Sequence, residues 1–301
     1  MCRAGRSWRP TSPARGDPKP LNRCWAIHTL IGLICRRWYK GHRMTSTKST
    51  PDVRVLATAA QATTTVARLF KKIVNEAVRM RGECTVALAG GTTPHALYQE
   101  LAAHVFDADV PWQHVEVFFG DERNVPHDHV ESNYHMAQRS LLDYVPISPD
   151  RVHPMSADAD DLQVAANEYE QIVRRIVPAG ESGIPQFDLI LLGMGGDGHT
   201  ASLFPHTEAL GEAERLVVSQ HVPVLGRSRM TVTFPLINAA RHVILLVTGD
   251  DKAEVAAGLL SDDPTQREEI PAASVAPTDG KLTIVLDSPA ARQTDLKATE
   301  L

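Results

Sequence analysis

Beyond residue 43 the sequence contains one cysteine, Cys84. A single thiol cannot close an intrachain disulfide, so packing alone holds the body of the chain together and a reducing compartment suits it. At the start of an apolar strand, Cys84 reads as a buried, inert thiol. Long apolar runs are missing as well. The stretch over residues 25–35 is about half the ~20 residues needed to span a bilayer. It ends in Arg36-Arg37, not in a small-residue cleavage site, which speaks against both a membrane span and a secretory signal. Basic residues are in the minority: from residue 44 onward 21 Lys and Arg face 35 Asp and Glu, a net charge of −14. So acidic a body argues against nucleic-acid binding. Neither an HExxH nor a CxxC spacing occurs, and no metal is expected. No repeat of roughly 20–50 residues is visible, which sets solenoids and propellers aside.

What is present is a globular chain of 301 residues, 43 % of them apolar, with an atypical beginning. Residues 1–43 carry ten Lys and Arg against Asp17 alone, three of the four cysteines (Cys2, Cys24, Cys35) and three of the four tryptophans (Trp8, Trp25, Trp38). This basic extension is expected to be foreign to the fold, disordered or removed. Translation that starts at Met44 accounts for it; an arginine-rich, acid-poor organelle-targeting peptide is the alternative. Residues 44–301 are then expected to form one α/β catalytic domain, cytoplasmic, with no membrane or nucleic-acid partner. Oligomeric state is not legible.

From residue 53 strands and helices alternate, the α/β signature. Strands are expected over 53–57, 84–89, 115–119, 187–192, 216–219, 230–234, 243–248 and 282–286, with a short one near Val152. Helices are expected from Val66 to a stop at Gly82, from Pro94 to about residue 105, and over 133–145, 158–176 and 252–260. Strands without polar alternation are buried on both faces, as a parallel sheet between helices requires. The fold class that follows is a three-layer, doubly wound, mainly parallel sheet. Ligands in such sheets sit at the carboxyl ends of the strands, which directs attention to the loops after Ala89, Phe119, Leu192 and Thr248.

The first of these reads Gly90-Gly91-Thr92-Thr93-Pro94. Two glycines permit close backbone approach, two hydroxyls can donate, and Pro94 opens a helix whose N-terminus attracts an anion. A phosphate cradle and a plain strand-to-helix turn with a Thr cap both fit, whereas a P-loop does not, because no Gly-Lys-Ser/Thr follows. The second, Gly120-Asp121-Glu122-Arg123, sets three charges directly beyond a buried strand. Arg123 can engage an anionic substrate or a developing oxyanion, and Asp121 can hold a hydroxyl or orient an imidazole; an Asp/Arg surface pair is the alternative. After Thr248, Lys252 falls in the first turn of a helix, where a cation is unfavourable unless an anion or solvent compensates. Arg229 can reach the same cleft.

The third loop contains a literal GxGxxG, Gly193 to Gly198, in Gly193-Met-Gly-Gly-Asp-Gly-His199. A dinucleotide fingerprint needs its last glycine to open a helix and an acid about 20 residues on. Here His199 follows the last glycine, Pro205 comes soon after, and the next strand ends in Ser219-Gln220. The nucleotide reading fails on context. What remains is a glycine-rich loop at a strand end that presents Asp197 and His199, with His199 a candidate general base. Ser202 sits in His-Thr-Ala-Ser, not in a GxSxG elbow, so a serine-esterase mechanism is not expected.

Together, Leu88-Ala-Gly-Gly-Thr-Thr-Pro94, Phe119-Gly-Asp-Glu-Arg123, Glu131-Ser-Asn-Tyr134, the block from Gly193 to Pro205, Arg229-Met-Thr-Val-Thr233 and the Lys252 loop resemble the 6-phosphogluconolactonase family, part of the glucosamine-6-phosphate isomerase/deaminase superfamily. The resemblance covers about residues 53–287 and omits the first 43. It implies hydrolysis of 6-phospho-D-glucono-1,5-lactone to 6-phosphogluconate in the oxidative pentose phosphate pathway, with a sugar-phosphate lactone as partner and no cofactor. It further implies that His199 activates water, that Asp121 and Arg123 act with it in the cleft, and that Gly90, Gly91, Thr92, Thr93, Asp197, Arg229 and Lys252 bind substrate and phosphate. Which cation meets the phosphate and which the oxyanion stays open. The deaminase branch resembles the chain less: its loop has the form GDGHIAFNEP, where this sequence has Ala201-Ser-Leu-Phe-Pro205 with no acid, and its DEY is here Asp121-Glu122-Arg123. A silent sugar-phosphate sensor would not need His199 and Asp121.

Overall fold

A computed structural model describes residues 50–103 and 110–298; the expected extension over residues 1–43 lies outside them. The first half runs β1 (Asp52–Leu56), α1 (Ala59–Arg81), β2 (Cys84–Leu88), α2 (Thr92–Ala103), β3 (Val115–Phe119), β4 (Asp121–Arg123), α3 (Asn133–Ser140) and α4 (Leu162–Ile176). The second half runs β5 (Leu189–Gly193), β6 (Val217–Val222), β7 (Arg227–Val232), β8 (His242–Val247), α5 (Ala253–Leu259) and β9 (Lys281–Asp287), with shorter helical turns between. None of the helices among the described residues is long and apolar enough to cross a membrane.

Six strands form one sheet in the order β1-β9-β8-β5-β2-β3, every pair parallel. Its central strands are unbroken runs of buried residues: all five of β2, the first four of β5 and the last five of β8. Helices flank it. In α1, Thr58 caps the start by accepting from Gln61 N–H at 3.2 Å, Gly82 ends it in the left-handed conformation, and Val66, Phe70, Ile73, Val74 and Ala77 are buried. That spacing of apolar residues puts one face of the helix into the core. From β2 the chain steps outward to β3; from β5 it steps the other way to β8 and β9. The reversal between β2 and β5 is a topological switch point, where an open α/β sheet leaves a crevice at its carboxyl edge.

The expected mainly parallel sheet with flanking helices is present, but three expected strands are not in it. Those read over 216–219 and 230–234 are β6 and β7, which pair antiparallel and, with β4, make a separate sheet in the order β4-β7-β6. The physical reason is the connection: residues 223–226 are too few for a parallel crossover and suffice for a hairpin. The strand near Val152 is a single bridge to Val117. Among helices, the one expected over 133–145 stops at Ser140, with Leu141 leaving helical conformation. The one expected over 158–176 waits for its cap, Asp161, which accepts from the N–H groups of Gln163 and Val164.

Gly120 joins the two sheets. Its N–H donates to Leu88 O of β2 at 2.8 Å, and its carbonyl accepts from Val232 N–H of β7 at 2.8 Å.

Candidate active site

A cleft of about 330 Å³ opens at the switch point. It is lined by residues 89–94 after β2, by Asp121 and Arg123 of β4, by residues of the loop after β5, by Arg229 of β7, and by Thr248 and Lys252 after β8. All four loops singled out in the sequence therefore converge, and every expected site residue except Asp197 lines the cleft.

The turn from β2 into α2 needs both of its glycines. Gly91 has φ +102°, and a Cβ on Gly90 would lie 1.9 Å from Asn133 Oδ1. The twelve-residue helix α2 thus begins at the cleft, with the positive end of its dipole toward any bound anion. Thr93 Oγ1 lies 2.9 Å from Thr248 Oγ1, which ties this turn to the loop after β8.

After β5 the chain closes a tight turn in which Gly195 N–H donates to His199 O at 2.9 Å and Gly198 N–H to Gly195 O at 3.1 Å. The turn brings Nδ1 of His199 to 2.5 Å from Asp197 Oδ1, an oxygen that also accepts the His199 backbone N–H at 3.1 Å. One face of the imidazole stacks on Phe204, ring centroids 4.0 Å apart. Its edge occupies the place where a side chain on residue 195 would stand, 2.1 Å from such a Cβ. Burial works to raise the Asp197 pKa, but the hydrogen bonds and charge of His199 outweigh it and hold the carboxyl below its ordinary value. With Nδ1–H donated to this carboxylate, Nε2 is the nitrogen left to take a proton. Asp197, expected to bind substrate, pairs with the imidazole and is not among the residues that line the cleft.

The small sheet supplies charge from the opposite side. Arg123 and Arg229 face each other across the β4–β7 pair. Arg123 Nη1 donates to Glu131 O, whereas Arg229 Nη1 is buried with no hydrogen-bond partner among the described residues. Burial, and then the charge of Arg123, pull the Arg229 pKa down from its ordinary value against the opposing pull of Asp121 and Glu131. Two cations so placed are complementary to an anion. Lys252 is the last residue of a 3-10 turn, Asp250–Lys252, just ahead of α5. Its ammonium pairs with Asp251 Oδ2 at 2.8 Å and lies 3.7 Å from where a Cβ on Gly196 would stand, beside the histidine turn.

Asp121 is nearly buried, and its carboxylate is held by two donors: Ser202 Oγ at 2.7 Å to Oδ2 and Asn133 Nδ2 at 3.1 Å to Oδ1. The adjacent Glu122 is wholly buried and points away from the cleft. It accepts the backbone N–H groups of Arg123, Asn133 and Tyr134 at 2.7, 2.7 and 2.9 Å and the Ser132 hydroxyl at 3.0 Å. Burial pushes its pKa up while these N–H groups oppose the rise.

Residues 57–284 match the model of the family described as glucosamine-6-phosphate isomerases/6-phosphogluconolactonase. The chain belongs to this family. It is 42 % identical over 217 residues to the 6-phosphogluconolactonase of Synechocystis sp., across 72 % of this chain and 87 % of that protein. To the 6-phosphogluconolactonase of Mycobacterium bovis it is 40 % identical over 229 residues, across 74 % and 88 %. Among solved structures, the 6-phosphogluconolactonase of Trypanosoma brucei superposes with a TM-score of 0.72 at 30 % identity, covering 81 % of this chain and 99 % of that one. Three residues of this family site were not assigned a role by sequence reasoning: Asn133, Ser202 and Phe204. All three had a signal in the segments that carry the resemblance, Asn133 in Glu131-Ser-Asn-Tyr134 and Ser202 and Phe204 in the block from Gly193 to Pro205.

Proposed function

We propose that this chain hydrolyses 6-phospho-D-glucono-1,5-lactone to 6-phosphogluconate, as a carboxylic-ester hydrolase of the pentose phosphate pathway with His199 as its base. The observation that carries the reading is the pinned imidazole of His199, with Nδ1 engaged by Asp197, in a cleft that also holds Arg123, Arg229 and Lys252. Nε2 takes a proton from water while the water oxygen attacks the lactone carbonyl. The carbonyl π pair moves onto oxygen as the tetrahedral oxyanion forms. On collapse the bond to the ring oxygen breaks, and that oxygen takes the proton back from the imidazolium, leaving a C5 hydroxyl and a carboxylic acid that loses its proton to solvent to become the carboxylate. Asp197 stabilises the transient imidazolium. The three cations, with the N-terminus of α2, supply the positive charge that the 6-phosphate and the oxyanion need.

The test follows loss of freshly made 6-phosphogluconolactone above its spontaneous rate, with glucosamine 6-phosphate in a parallel assay. Turnover of the lactone alone is expected. Turnover of the amino sugar alone would replace the reading with a deaminase, and turnover of neither would leave a sugar-phosphate sensor.

A further inference from the structure

Ser202 is 2 % exposed, yet it lines the cleft beside Asp121, to which its hydroxyl is bonded. It is held at three points. Its N–H donates to Thr231 Oγ1 at 3.1 Å, its carbonyl accepts from Gln220 Nε2, and its hydroxyl donates to Asp121 Oδ2 at 2.7 Å. A serine hydroxyl has one proton and two lone pairs. The carboxylate takes that proton in a charge-assisted bond, which is stronger than a neutral alternative. Toward the cleft, Ser202 therefore offers lone pairs only. Asp121 is in the same position: Ser202 and Asn133 occupy part of its acceptor capacity, and what remains is again acceptor. Side by side, the two residues make a wall without a donor, on a cleft that also holds the cations Arg123, Arg229 and Lys252 and the imidazole of His199.

We propose that Ser202 is a specificity-determining residue that, together with Asp121, reads the ring hydroxyls of the substrate by accepting their hydrogen bonds. The inference rests on the lactone reading above. A phosphate or a carbonyl oxygen meets lone-pair repulsion at this wall, whereas a hydroxyl finds an acceptor. The wall thus sorts the substrate's polar groups, sending hydroxyls to Asp121 and Ser202 and anionic groups to the cations. A site built to accept a hydroxyl rejects an analogue that lacks it, because its own polar groups are then left unpaired.

The experiment compares kcat/KM for the parent phosphorylated lactone and for its 2-, 3- and 4-deoxy analogues in wild type and Ser202→Ala. Wild type is expected to lose at least tenfold on one analogue. Ser202→Ala is expected to lose a similar factor on the parent and to show no further loss on that same analogue, since hydroxyl and reader are removed from one interaction. Equal wild-type turnover of all four lactones overturns the proposal, and so does a uniform loss in Ser202→Ala across the series. The wild-type series decides the matter even if the variant does not fold. Absence of wild-type turnover on the parent overturns the lactone reading itself, which separates the two failures.

Discussion

At the scale of single residues, His199 is the base of the proposed mechanism, and its neighbours Asp197 and Phe204 fix where it stands. Replacing it with Asn keeps a polar side chain of similar size but removes the base, so kcat is expected to fall by about 10² to 10⁴ with KM little changed. Wild type and His199→Asn should differ in how kcat depends on pH, since only wild type carries the ionisable imidazole. Asp197 adds a second pH signature. Its folded-state pKa lies below the ordinary 3.8, so its carboxylate contributes stability that is present above the unfolded pKa and lost as pH falls through the folded one. Thermal melts of wild type and Asp197→Asn should converge as pH drops from about 5 toward 2, because only wild type has this contribution to lose. Most of the groups around the cleft were legible in the sequence because local spacing displays them: one residue, Gly198, separates Asp197 from His199, and consecutive glycines precede Thr92. Ser202 and Asn133 were not legible as partners of Asp121, because their contacts join residues 81 and 12 positions apart. For a related reason spacing shows that Asp197 lies near His199 but not that its carboxylate pairs with Nδ1 of the imidazole.

At the scale of elements, Glu122 decides how α3 meets the site. The first N–H groups of a helix have no partner within it, and here those of Asn133 and Tyr134 are satisfied by a carboxylate from β4. Asn133 in turn holds Asp121. Glu122→Gln leaves one acceptor oxygen for four donors, so urea unfolding should show a loss of about 2–4 kcal/mol. kcat/KM should fall as well, because Arg123 and Asp121 follow the strand and the helix. A sequence shows three consecutive charges at this place and no more. The buried apolar strands β2 and β8 were legible nearly to their ends, and α1 at its Gly82 stop, whereas its first turns from Ala59 lack the apolar spacing that begins at Val66. The small sheet was visible as strands but not as a sheet, because strand pairing depends on where the chain turns back, and β4, only three residues long, has too little pattern to register.

On the scale of the whole molecule, the strand and helix pattern of the described residues begins at Asp52. Deleting residues 1–43 is therefore expected to leave turnover and the melting temperature unchanged, measured side by side with the full chain. Loss of either would show that the segment packs on the catalytic body.

The passage of the chain through Gly120 has a thermodynamic consequence. His199 and the α2 turn ride on the parallel sheet, whereas Asp121, Arg123 and Arg229 ride on a ribbon of three short strands whose backbone meets that sheet through Gly120. The three-stranded ribbon has fewer strand pairings than the six-stranded body, so it is expected to open at lower free-energy cost, as the less protected units of a fold generally do. Catalysis requires both halves in register. In a urea titration, activity should disappear before the far-UV circular dichroism changes, so that the enzyme is disarmed while most of its helices and parallel strands are still intact.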